Sequence, residues 1–134
     1  MRTTSLSDRA VLIVKRLIVV GLIASLAHFA DNAFEIGHYP EPSWITPDIV
    51  LLSFIPVAFV AIAALLRRNG DFVFVTLTAI FGALLLTGLA HYAYGSPMRM
   101  NGLSNFTIAF EALSGVALLG ALFRSLSGKK VDKT

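Results

Sequence analysis

Polar side chains are rare within the apolar stretches of this chain, and each is a candidate for chemistry because burying it in hydrocarbon is costly. In one stretch, four polar residues follow helical spacing of i, i+3, i+4 and i+7 and therefore form one stripe: His28, Asp31, Asn32 and Glu35. Two later apolar stretches contribute His91 and Glu111. A histidine and a carboxylate buried together can hold a proton between them and transfer it to a bound molecule.

His28 and Glu111 are predicted to lie at the same depth. His28 follows Lys15 by thirteen residues, and Glu111 precedes Arg124 by thirteen residues. At about 1.5 Å per residue, each side chain should lie about 20 Å from the boundary that these basic residues mark. We therefore expect the two side chains to meet, and both are candidate catalytic residues.

The other polar residues are predicted to lie above this pair, toward the opposite boundary. Asp31 and Asn32 come about one helical turn higher, and Glu35 and His91 reach the surface. Polarity therefore increases from a deep pair to an open mouth, which predicts an outward-facing pocket. Its candidate ligand-binding residues are Asp31, Asn32, Glu35 and His91.

A metal site is an alternative, because nitrogen and oxygen donors of this kind bind Zn, Fe or Mn, and helical bundles build such sites from facing helices. The donors would be His28, Asp31, Glu35, His91 and Glu111. No His-x-x-x-His pair occurs, so the sequence identifies no particular metal, and a divalent cation stays among the alternatives. Haem held by two histidines is disfavoured, because His28 and His91 are predicted to differ in depth by about 10 Å.

A non-catalytic function also stays open. In a small accessory membrane subunit, the same polar side chains would act only as contacts between helices. Rows of small residues predict where helices approach closely: Gly21 and Ser25 continue the polar stripe on the first helix, and Ala79, Ala83 and Thr87 form a row on the third. Both rows are expected to face the interior.

The segment from His38 to Trp44 has two interpretations. Pro40 and Pro42 stiffen it into an extended path. It is either a lid over the pocket, with His38 and Glu41 at the rim, or a short rigid connector between the first two helices. We favour the connector.

The composition shows which elements must position these residues. Of 134 residues, 56% are hydrophobic and 14% are charged, and the mean hydropathy is +0.76. A soluble domain carries roughly 25% charged residues. The balance excludes a disordered chain and a nucleic-acid-binding module, and the absence of cysteine excludes a disulfide scaffold.

Four stretches are long and apolar enough to cross a membrane as helices. They cover about residues 17–34, 49–66, 72–92 and 106–123. The predicted fold is all-α: residues 1–134 form a single domain, a polytopic membrane protein with a four-transmembrane-helix bundle. Ser25-Leu26-Ala27 offers a signal-peptide cleavage site, but cleavage there would leave three spans, so we favour retention of the first span.

Basic residues predict the orientation. Ten of the eleven fall on one side of the four-span arrangement, and only Arg99 falls on the other. Basic residues are concentrated in cytoplasmic segments, so both termini should face the cytoplasm of a plasma or inner membrane. Trp44 and the three tyrosines map to the opposite boundary, as an aromatic belt does.

An acidic residue at the end of the first span is followed by Tyr39-Pro40 and a glutamate, in a four-span chain with both termini inside. This pattern resembles the EXPERA group of sterol isomerases and sigma-2-type receptors. The resemblance covers these few residues and the topology, and it implies a small lipophilic ligand. The sequence therefore predicts a membrane protein that binds such a molecule, or performs acid–base chemistry on it, and leaves open whether it is an enzyme. Its partners would be the lipid bilayer, this ligand and either a second copy or another membrane protein, with no nucleic acid.

Overall fold

The computed structural model describes residues 6–68 and 70–127. The α-helices are α1 (Asp8–Phe34), α2 (Pro47–Leu66), α3 (Phe72–Leu84), the single turn α4 (His91–Tyr94) and α5 (Gly102–Ser127). Short 3-10 turns occupy Ile36–His38, Thr87–Ala90 and Pro97–Arg99. The segment Phe72–Tyr94, here the third span, contains α3, one of these turns and α4. With α1, α2 and α5 it completes four helices that are long and apolar enough to cross a membrane. The prediction of an all-helical chain with four such helices is confirmed.

Polar side chains mark where the helices begin. Ser7 precedes α1, and its hydroxyl accepts a hydrogen bond from the amide of Ala10 at 3.3 Å. Thr46 does the same for α2, with Pro47 at the first helical position. Asp71 accepts from the amide of Phe74 at 2.8 Å and so begins α3. These caps satisfy backbone N–H groups that have no partner inside a helix.

The helices pack as a bundle around a main apolar core, and a second, smaller apolar cluster includes Tyr39. Packing is most extensive between α1 and α5, and α2 and α3 complete the arrangement. Fully buried side chains at the centre include Ile18, Phe74, Phe81 and Leu118. The opposite faces carry large apolar side chains that are exposed, among them Phe59 and Phe123. A surface of this kind is unfavourable in water and favourable in hydrocarbon.

Glycine allows the closest approach between helices. A Cβ atom at Gly82 would lie 2.7 Å from the side chain of Leu119, and one at Gly21 would lie 2.6 Å from that of Leu85. On α1, the predicted row of Gly21 and Ser25 is indeed buried.

The predicted row on the third span is wrong at two of its three positions, since only Ala79 packs against the core. Ala83 and Thr87 are exposed, and the interior face is formed instead by Thr78, Phe81, Gly82 and Leu85. Small residues occur on both faces of this helix, so they do not distinguish the interior. Burial of the large Phe81 and Leu85 side chains decides which face turns inward, because the space between α1 and α5 has to be filled.

Candidate functional site

A buried hydrogen bond joins α1 to α5. Nδ1 of His28 lies 2.5 Å from Oε2 of Glu111, and the two residues are 3% and 1% exposed. Both predicted catalytic residues are therefore in direct contact. Each side chain gives the other a polar partner that the surrounding apolar helices do not provide.

The third span touches this pair through a residue without a side chain. Gly88 lies in the Thr87–Ala90 turn, and a Cβ atom there would stand 2.8 Å from both Oε2 of Glu111 and Cε1 of His28. Any larger residue would have to displace one of the two side chains. This position was not identified from the sequence, although a glycine inside an apolar helix was the available signal.

His91 lies beside His28, where the sequence predicted a separation in depth of about 10 Å. Their ring centroids are 5.3 Å apart, with the rings edge to face. The prediction is wrong because it measured depth from Lys15. The amide of Leu6 donates to the carbonyl of Gly70 at 2.9 Å, so α1 and α3 begin at one level. His28 follows the first residue of α1 by 20 residues, and His91 follows the first residue of α3 by 19 residues.

The segment between α1 and α2 folds over the site and contributes Glu41. Oε1 of Glu41 accepts a hydrogen bond from Nδ2 of Asn32 at 3.0 Å and lies 3.4 Å from Nδ1 of His91. The Asn32 amide is also 3.4 Å from Nε2 of His91. Beyond the connecting role that the sequence favours, this segment therefore places Glu41 beside Asn32 and His91.

Tyr39 packs against both histidines. Its ring is stacked on that of His28 at 6.1 Å and lies edge to face with that of His91 at 4.9 Å. Its hydroxyl donates to Oδ2 of Asp31 at 2.7 Å. Burial, and then the hydrogen bond to Asp31, raise the pKa of the Tyr39 phenol well above its ordinary value, so it remains a neutral donor.

Two of the predicted ligand-binding residues do not line the cavity that lies beside the two histidines. Asp31 is buried behind Tyr39. Glu35 pairs at the surface with His38, whose Nδ1 atom is 2.8 Å from Oε2 of Glu35. Asn32 and His91 are the two that line a cavity beside His28.

This cavity, of about 170 Å³, lies between α1, α2, the Thr87–Ala90 turn and the folded segment. Its polar side is formed by His28, Asn32, His91 and Glu41, and its apolar side includes Ile45, Ile49 and Val50. A cavity of about 150 Å³ accommodates benzene, so the space suits a molecule of one small ring and is too small for a porphyrin. Glu111 is absent from the lining because it lies behind His28.

Two buried polar atoms of residues that line this cavity have no hydrogen-bond partner in the described part of the chain. They are Nε2 of His28 and Oδ1 of Asn32, and both atoms are buried. Buried polar atoms are almost always satisfied. A molecule or water that reached these two atoms from the cavity would provide the missing partners.

The histidines and carboxylates of this region form pairs. Within residues 6–68 and 70–127, no group of three or more His, Cys, Asp or Glu side chains is placed to hold a metal ion. The carboxylates are instead divided among separate partners, Glu111 with His28 and Glu41 with His91.

Comparison with protein-family models, with curated proteins and with solved structures finds no match for this chain.

Proposed function

We propose that this chain is an integral membrane protein that binds a small amphipathic molecule in the outward-facing cavity, with His28 as proton acceptor and Glu111 as its orienting partner. The membrane is a plasma or inner membrane, and both termini face the cytoplasm. One observation carries the proposal: His28 lines the cavity, its Nδ1 atom is held by Glu111, and its Nε2 atom is buried without a partner among the described residues.

The distribution of charge supports the orientation. Among the described residues, six of the ten basic residues assigned to the cytoplasmic side cluster at one end of the bundle: Arg9, Lys15, Arg16, Arg67, Arg68 and Arg124. Arg2, Lys129, Lys130 and Lys133 lie outside the described residues. The cavity lies toward the other end, so the positive-inside rule directs it outward.

The lining of the cavity supports an amphipathic ligand. The polar side can hydrogen-bond one end of a molecule, and the isoleucines and valine of the opposite side can cover an apolar body. Ile49 and Ser53 of α2 and Thr87 of the third span line the cavity; Ile49 and Thr87 also lie at the lipid-facing surface. The cavity therefore opens sideways between α2 and the third span, where an apolar molecule dissolved in the membrane has access.

The hydrogen bond to Glu111 favours the tautomer of His28 in which Nε2 is the basic nitrogen. In this tautomer Nδ1 carries the proton and donates a hydrogen bond to Glu111. The lone pair of Nε2 is then free to accept a proton from the ligand. The carboxylate of Glu111 then stabilises the imidazolium that forms. A ligand with an acidic hydroxyl or N–H group would therefore bind more tightly than one of the same size without such a group.

Phenol and benzene provide matched probes, because they share a ring and only phenol has a hydroxyl donor. We expect phenol to bind the purified protein in lipid nanodiscs and to shift the ring-nitrogen NMR signals of His28. His28→Ala should weaken phenol binding by about tenfold or more, because it removes the proton acceptor. Glu111→Gln should have an effect of similar size, because its neutral amide can still accept from Nδ1 but no longer stabilises the imidazolium. His38→Ala is the control, because His38 is exposed and pairs only with Glu35 among the described residues.

Two results would count against the proposal. Phenol binding that is unchanged in both cavity variants would remove His28 and Glu111 from the site. Equal affinity for benzene and phenol would show that the cavity selects only by size, and the non-catalytic subunit would then be the better explanation.

A further inference from the structure

An open groove follows the seam between α1 and α5 at the end of the bundle opposite the cavity. Its volume is about 680 Å³. The floor is built from small and apolar side chains: Ala10 and Ile13 of α1, with Ala117, Gly120 and Ala121 of α5. A Cβ atom at Gly120 would meet no heavy atom within 4 Å, so the groove at this point is empty space rather than a close contact between helices.

Two arginines lie at this groove. Arg9 and Arg124 both line it and are exposed, and neither has a carboxylate within 4.0 Å among the residues that the structure describes. Ser7 and Ser125 lie beside them, but their hydroxyls are already used in hydrogen bonds to the helix backbone. Asp8 is exposed and does not line the groove. Within the described ranges, positive charge therefore stands without a protein partner next to an apolar channel.

We propose that this groove binds an anionic phospholipid of the cytoplasmic leaflet. The phosphate lies between Arg9 and Arg124, and one acyl chain follows the floor past Gly120 and Ala117. Guanidinium groups bind phosphate oxygens with paired hydrogen bonds, and the cytoplasmic surface of a membrane is rich in such lipids. The site rests on the proposed insertion and orientation, and it is independent of the ligand cavity.

The combination of features favours a lipid over two other occupants. Free phosphate would use the arginines and leave the apolar floor empty. A helix of another protein would fill the small-residue floor, but it would have to bring acidic residues to neutralise Arg9 and Arg124 at the membrane surface. A phospholipid matches both parts of the groove with one molecule.

The binding of anionic lipid by Arg9 and Arg124 can be tested in nanodiscs that contain equal amounts of phosphatidylcholine and phosphatidylglycerol. Native mass spectrometry of the released protein counts the lipids that stay bound. We expect phosphatidylglycerol to be retained preferentially, and Arg9→Gln and Arg124→Gln each to lower that preference about fivefold. Arg68→Gln is the control, because Arg68 is exposed at the same end of the bundle but lies outside the groove.

Filling the groove tests the acyl-chain site. Gly120→Leu should abolish the retention of phosphatidylglycerol while the fold survives, because the new side chain enters open space and leucine is a better helix former than glycine. Ala109→Leu adds bulk to an exposed position of α5 outside the groove and should change nothing.

Several outcomes would overturn the site. These are equal retention of the two lipids by the wild-type chain, retention that persists in Gly120→Leu, and displacement of the lipid by inorganic phosphate alone. A dimer that Gly120→Leu dissociates, with lipid retention unchanged, would assign the groove to a second copy of the chain. Failure of membrane insertion would be seen separately, by cysteine labelling of the loops in intact cells.

Discussion

Oε2 of Glu111 lies 2.5 Å from Nδ1 of His28, across the seam where α1 packs against α5. The two residues are separated by 83 positions in the chain, so the contact exists only when the bundle has formed. Each residue is buried among apolar helices, and removal of either leaves the other without this partner. The contact therefore links the stability of the bundle to the position of a side chain that lines the cavity.

This linkage can be measured by a double-mutant cycle. Glu111→Ala and His28→Ala should each lower the free energy of unfolding by about 3 kcal/mol or more, because each breaks a buried pair. The double variant should lose less than the sum of the two, since it leaves no unpaired group. Unfolding in mixed micelles of dodecyl maltoside and sodium dodecyl sulfate provides the measurement. Strictly additive losses would mean that the two side chains do not interact in the folded protein.

Gly88→Ala tests the contact between the third span and the His28–Glu111 pair. The added methyl group would stand 2.8 Å from atoms of both side chains, and crowding of this kind destabilises a packed site by about 1–3 kcal/mol. We expect lower thermal stability, displaced ring-nitrogen NMR signals of His28 and weaker phenol binding. Gly37→Ala is the matched control, because a Cβ atom at Gly37 meets nothing within 4 Å. Wild-type His28 signals in the Gly88 variant would show that the close approach of this turn does not position the histidine.

Tyr39 should make stability fall at alkaline pH. Its pKa is raised from an ordinary value of 10.0, so the folded state retains a proton that the unfolded chain releases. The stabilisation is complete below about pH 10 and is lost as the pH rises toward the pKa of the folded state. Thermal unfolding between pH 8 and pH 11 should show the decline, to which Tyr39→Phe should be less sensitive. Tyr94→Phe, at an exposed position, should behave as the wild-type chain does.

The same Tyr39→Phe variant should also be less stable at neutral pH. It removes the only hydrogen bond that a side chain donates to Asp31 in the described residues, and a buried acceptor left unsatisfied costs about 1–3 kcal/mol. If the free energy of unfolding falls by less than about 0.5 kcal/mol, water replaces the Tyr39 hydroxyl and its contact with Asp31 does not stabilise the fold.

Cysteine labelling tests the orientation, since the native chain contains no cysteine. An Arg68→Cys variant should be inaccessible to an impermeant maleimide added to intact cells, and a Met98→Cys variant should be labelled. Arg68 lies between α2 and α3 and is exposed, and Met98 is 96% exposed between α4 and α5. Gly70 would be a poor choice, because a Cβ atom there would clash with Leu6 at 2.6 Å. The reverse pattern of labelling would invert the bundle and would turn the cavity toward the cytoplasm.

The sequence alone determined the helices and the polar stripe of α1. Long apolar stretches and helix-capping residues are local properties, so four helices of spanning length could be predicted without knowledge of their packing. The burial of His28 and Asn32 followed from helical periodicity. Equal depth for His28 and Glu111 followed from counting residues, because α1 and α5 are each uninterrupted helices.

The tertiary structure alone decided which side chains complete the site. The level of α3 against α1 depends on how the Leu6 amide meets the Gly70 carbonyl, and that contact brings His91 beside His28 instead of placing it at the surface. Tyr39 and Glu41 belong to a segment without periodicity, whose path follows from what it packs against. The interior face of the third span depends on the space left by its neighbours. Periodicity describes one helix at a time, whereas a site between helices depends on their relative height and rotation, which only packing determines.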